Sequence, residues 1–111
     1  MASDFPERDW RVLRELHPIA LDRLCRRILD EIGSIGADTS RSNHERYLAI
    51  FRLIKDRDDE IADAFNDMRR SRAVMRLCVI QRLDLLTEAE FARFTEGTQR
   101  TVRSVLGIDR G

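Results

Sequence analysis

From His44 to Val79 the chain holds one spacing without interruption: His44, Tyr47, Phe51, Ile54, Asp58, Ile61, Phe65, Met68, Arg72, Met75 and Val79 follow at alternating steps of three and four residues. Such a period lays every member along one stripe of an α-helix. A strand, whose side chains alternate with period two, cannot accommodate it. Unbroken, a helix over about 43–82 would run about 60 Å, which is long for a chain of 111 residues. Lys55-Asp56-Arg57-Asp58 offers a place to fold back, because Asp56 or Asp58 can cap a new helix. The pattern therefore predicts either a continuous spine or a helical hairpin.

The flanking segments read as helices too. Ser3 or Asp4 can cap a first helix, with Pro6 in its first turn and Glu7 in capping-box register to Asp4. That helix buries Trp10, Leu13 and Leu16, and the His17-Pro18 pair predicts its end. A second stripe runs through Leu21, Leu24, Cys25, Ile28, Leu29, Ile32 and Ile35 and stops at Gly33 and Gly36. Residues 36–42 form a polar connector, and Ser42 with Glu45 forms a capping box for the long helix. Thr87 with Glu90 repeats that signal before a short helix carrying Phe91 and Phe94. Thr95 or Thr98 then opens a last helix, which Gly107 closes. The expected fold is a single all-α domain over 1–111, a five- or six-helix bundle with the long central helix or hairpin of about 43–82 as its spine.

Two full charges interrupt the seam, Asp58 and Arg72. An ionised group held away from water needs a partner or costs roughly several kcal/mol. On one continuous helix these two would stand about 21 Å apart. Each must then pair with another helix of the bundle, let its head reach solvent, meet an anion, or lie at a subunit interface. The surrounding charge bears on the last option. Residues 56–67 carry six acids against one Arg, whereas Arg69, Arg70, Arg72, Arg76 and Arg82 follow with no acid between Met68 and Arg82. Such a helix can pair antiparallel with its own copy about a two-fold near Phe65. The same polarity also suits the macrodipole of one helix, at about 0.3–1 kcal/mol per terminal charge. Asp58, Phe65, Arg69, Arg72 and Arg76 are the interface or anion candidates.

Twenty basic residues balance twenty acidic ones, so no net field draws nucleic acid or an anionic membrane. All the cations but Lys55 are Arg, a planar group suited to carboxylates and phosphates. Cys25 and Cys78 sit in apolar helical patterns and read as buried free thiols. No basic n-region with an apolar stretch behind it opens the chain and no run of eighteen apolar residues occurs, which predicts a cytoplasmic protein without membrane contact.

No Gly-rich phosphate loop, HExxH or nucleophile elbow is present. Asp59, Asp63 and Asp67 repeat every four residues, but no His stands at ligand spacing to them. His44 reads as a first-turn cap and Tyr47 as a core residue. No catalytic, metal or cofactor residue is assigned. The expectation is a non-enzymatic protein-interaction or regulatory module that self-associates through 43–82. The alternative is a nucleic-acid-binding regulator using Arg69 to Arg76 or a helix-turn-helix-like C-terminus over 87–106, where Gly97 falls one place late for the usual turn.

The run His44-Glu45-Arg46-Tyr47, then Arg57-Asp58, Ile61-Ala62, Ala64-Phe65, Asp67 and Arg69-Arg70-Ser71 with Ala73, resembles a family of short bacterial helical proteins of unassigned function. The resemblance spans roughly 42–95 and implies a helical fold but no catalytic or ligand residue. A peptide-transporter receptor label borne by some look-alikes does not carry over to a chain of this size.

Overall fold

The computed structural model describes residues 5–107, and every regular element among them is helical. In order these are α1 (Glu7–Gly36), α2 (Asn43–Phe65), a 3-10 turn (Arg70–Arg72), α3 (Ala73–Arg82), α4 (Glu88–Phe91) and α5 (Glu96–Leu106). The capping boxes at Ser42/Glu45 and Thr87/Glu90 both form. Thr95 opens α5, and Gly107 closes it in the left-handed conformation, φ 74°. The predicted Ser3/Asp4 cap lies outside the described residues.

Two breaks fall elsewhere than the sequence pattern predicts. α1 continues through His17-Pro18 for 30 residues. Proline inside a helix costs about 3 kcal/mol, yet Leu13, Leu16, Ala20 and Leu24, on either side of it, are all buried in the core while Pro18 faces solvent. Tertiary burial outweighs the local cost. The spine is neither continuous over 43–82 nor broken at 55–58. It stops at Phe65, where Asn66 turns extended and Asp67 adopts φ 56°. Asn and Asp tolerate that conformation better than other side-chain-bearing residues.

The core gathers the first two-thirds of α1, the last turn of α2, α3, and the Phe91/Phe94 pair with Val102. Asp9 lies inside it at 0% exposure. Its carboxylate accepts from the Thr95 amide (2.8 Å), the Thr95 hydroxyl (2.7 Å) and the Thr98 hydroxyl. A residue 86 positions away thus takes one backbone amide and two hydroxyls at the start of α5.

Several helix C-termini are closed the same way, by side chains from other elements. Arg46 donates to Gly36 O at the end of α1 (2.6 Å). Arg76 donates to Asp63 O (2.6 Å), and His17 Nε2 bonds Phe65 O (3.2 Å) while its ring stands edge-on to the Phe65 ring. Arg27 forks onto Leu83 O and Asp84 O after α3. Arg23 spans Leu85 O (2.8 Å) and both oxygens of Glu90 (2.6 and 2.9 Å).

α1 and α2 form an antiparallel hairpin and share the most extensive helix contact. Only its base reaches the core: from Leu29 to Asp63 no side chain is fully buried. The hairpin therefore projects as an arm. The radius of gyration is 16.8 Å, against about 13 Å for a compact domain of this length.

Arg23 foremost, then the Thr87 amide, hold the Glu90 carboxyl down at about 2, against an ordinary 4.5. A depressed carboxyl stabilises the fold fully above its unfolded pKa, and that contribution fades as pH falls toward the folded value. Glu90→Gln is expected to cost about 1–2 kcal/mol near pH 7 in urea unfolding, after solvent screening of the pair. The gap to wild type should close between pH 4.5 and 2.

Candidate functional site

The arm explains where the seam goes. Around α2 each residue turns about 100°, so Ile50, Leu53 and Arg57 occupy a face adjacent to the seam. These three are half-buried, and Arg57 reaches across to α1, where Nε and Nη2 bond Glu31 at 3.2 and 3.1 Å. Glu60 takes its remaining arm at 3.1 Å, and these contacts raise the pKa of Arg57 further, the Glu31 hydrogen bond foremost. The more buried side of the arm part of α2 is thus 50/53/57, with Ile54 and Ile61 of the seam at the edge of the contact with α1.

The first part of the seam, from Tyr47 to Asp58, is left largely uncovered. Tyr47, Phe51 and Ile54 are 64%, 54% and 49% exposed, and Leu29 of α1 beside them is 62% exposed. Tyr47 is accordingly a surface residue and not a core one. A groove of about 270 Å³ runs between the helices, lined by Cys25, Leu29 and Ile32 of α1 and by Ile54, Asp58 and Ile61 of α2. Asp58 is exposed on its floor line, with no ion pair among the described residues. Cys25 and Cys78 are free thiols; burial pushes the Cys78 thiol up, while Cys25 is half-buried at the groove.

The other predicted site residues are dispersed. Phe65 is buried in the core, so no two-fold can pass through it. Arg72 pairs within its own chain to Asp67 (3.3 Å) and not with Asp58. Arg69 also bonds Asp67 (2.6 Å). Arg70 holds Phe5 O (2.9 Å) and Glu7 (2.8 Å), and Arg76 caps α2. The basic run is a set of intramolecular clamps around the turn between α2 and α3. Only Asp58 of the predicted set remains at the candidate surface, joined by Leu29, Tyr47, Phe51 and Ile54.

Comparison with known protein families, curated proteins and solved structures finds no match. The surface has to be read from its own chemistry.

A second, larger cavity of about 510 Å³ opens between α3, α4 and α5, lined by Gln81, Asp84, Phe91, Gln99 and Arg103 among others. The Arg103 guanidinium lies 5.6 Å from the Phe91 ring centroid and bonds Gln99 at 3.2 Å, so it is engaged by its own helix pair. Among the described residues no group of three or more His, Cys, Asp or Glu side chains is placed to hold a metal ion, and no helix is long and apolar enough to cross a membrane.

Because the outer stripe is about half or more exposed and adds little to the core of its own chain, Tyr47→Ser and Phe51→Ser are each expected to change stability by no more than about 0.5 kcal/mol in dilute protein, and Ile54→Ser, at the groove edge, by about 1 kcal/mol. Phe65→Ala, by contrast, should cost about 3 kcal/mol or more. Chemical denaturation at low protein concentration measures both.

Proposed function

We propose that this chain is a non-enzymatic protein-interaction or regulatory module that binds through the outer face of the α1–α2 hairpin. The observation that supports it is the row of Tyr47, Phe51, Ile54 and Leu29 standing about half or more exposed along one side of an arm. Single exposed apolar residues are ordinary on any surface. A contiguous row with large aromatics, rimmed by charge, has the composition of an interface. Tyr and Phe also supply much contact area for little side-chain entropy, as binding anchors do.

The nucleic-acid reading draws less support. Arg69, Arg70, Arg72 and Arg76 already bond carboxylates or carbonyls of their own chain. Phosphate binding would have to release them from the turn they hold. α4 is a single turn of four residues, short for the first helix of a helix-turn-helix.

Site-specific photo-crosslinking in cells of its source tests the interaction reading. A photoreactive phenylalanine analogue at Phe51 should give a discrete protein adduct, and the same analogue at Asp56, exposed on the far side of α2, should give none. No adduct from Tyr47, Phe51 or Ile54 contradicts the reading.

A further inference from the structure

We infer that the partner of this face is a second copy of the chain, with the two α2 helices antiparallel about a two-fold axis passing between Phe51 and Ile54. The inference rests on the interaction reading above and names its partner.

The register of the seam supplies the first reason. In an antiparallel pair of this kind, positions of the two half-steps of the heptad oppose each other. An axis between Phe51 and Ile54 sets Phe51 against the partner's Ile54, and Tyr47 against the partner's Asp58. Both contacts occur twice by symmetry. The centre is then apolar, and each end joins a phenol hydroxyl, a donor, to a carboxylate, an acceptor. Asp58 gains the hydrogen-bond partner that no described residue of its own chain gives it. Tyr47 and Asp58 stand about 16 Å apart along one helix, so they can meet only between chains. Shifting the pair by one heptad toward the N-terminus puts Asp58 opposite the 37–42 loop. Shifting it the other way puts Asp58 opposite Ile54 and calls on Phe65, which is buried.

Charge gives the second reason. Residues 43–55 of α2 carry Arg46, Arg52 and Lys55 against Glu45, whereas residues 56–65 carry five acids against Arg57. A helix macrodipole favours acids at the N-terminus and bases at the C-terminus. Because α2 ends at Phe65, its polarity runs the opposite way, and the macrodipole does not account for it. Antiparallel pairing does, since it lays the basic half of one α2 along the acidic half of the other.

Area gives the third. The uncovered part of the hairpin, about 28 Å along α2 and two helices or about 20 Å wide, offers roughly 560 Å² per copy. Two copies reach about 1,100 Å², above the roughly 1,000 Å² that a biological interface needs and in the range of a weak, reversible one. Pairing converts two hairpins, each lacking a buried layer, into a four-helix bundle in which the groove between α1 and α2 receives Phe51 from the other copy.

Light scattering on the full chain over a concentration series tests this, with circular dichroism confirming that each variant is folded. Wild type should pass from monomer to dimer, and Phe51→Glu should stay monomeric. Tyr47→Asp, which sets carboxylate against carboxylate, should weaken the dimer by about tenfold or more. Adding Asp58→Arg to Tyr47→Asp should restore it. A wild type that is monomeric at every concentration, a dimer indifferent to Phe51→Glu, or a Tyr47→Asp defect that Asp58→Arg leaves unrepaired would each overturn the pairing. If the chain is monomeric yet Phe51 crosslinks to a different protein, the self-pairing alone fails. If no stripe position gives an adduct, the interaction reading fails with it.

Discussion

Everything distinctive in this fold follows from where α2 stops. The seam that starts at His44 would continue through Val79 on a single helix, but the chain turns at Asn66-Asp67 and α3 doubles back into the core. The turn is held from three sides. His17 and Arg76 take the freed carbonyls of the last turn of α2, and Asp67 gathers Arg69 and Arg72. With the spine cut there, the first part of the seam is carried away from the core on the arm; beyond it Phe65 is buried and Met68 and Val79 pack against the core, while Arg72 and Met75 stay exposed.

Several of the arginines use a geometry that lysine lacks. A helix C-terminus leaves carbonyls without partners, and a flat guanidinium with five donors can bond two of them, or a carbonyl and a carboxylate, at once. Arg27 bridges two adjacent carbonyls, Arg23 bridges Leu85 O and Glu90, and Arg70 bridges Phe5 O and Glu7. A lysine ammonium is a point charge and would not hold such geometry in the same way. The arginines near Met68 that read as an anion site in one dimension are, in three, the fastenings of the turn.

Much of the helical layout was legible in the residues. The capping boxes at Ser42 and Thr87, the glycine after α5 and the apolar stripe of α1 are local signals, and each marks its element. Two features were not. Pro18 looks like a stop because the cost of proline is local, whereas the burial of Leu16 and Ala20 that overrides it depends on distant packing. The end of α2 was hidden because Phe65, Met68 and Arg72 keep the 3–4 spacing across a turn that is not helical; Asn66-Asp67, a pair that accepts left-handed backbone, was the available clue. The candidate surface was half visible. The stripe through Tyr47, Phe51 and Ile54 was plain, but it looked like core, since periodicity reports an apolar face and not what covers it. That α1 takes the adjacent face, through Arg57 and Glu31, can be read only from the assembled hairpin.

A single chain leaves one face of α2 open, and the proposed pairing has a second chain close it. Amide hydrogen exchange followed at low and high protein concentration examines that claim directly. The amides of residues 47–58 should exchange readily in dilute protein and slow as concentration rises, while those of α5, packed within each chain through Val102, keep one rate throughout. Protection over 47–58 that does not depend on concentration would contradict it.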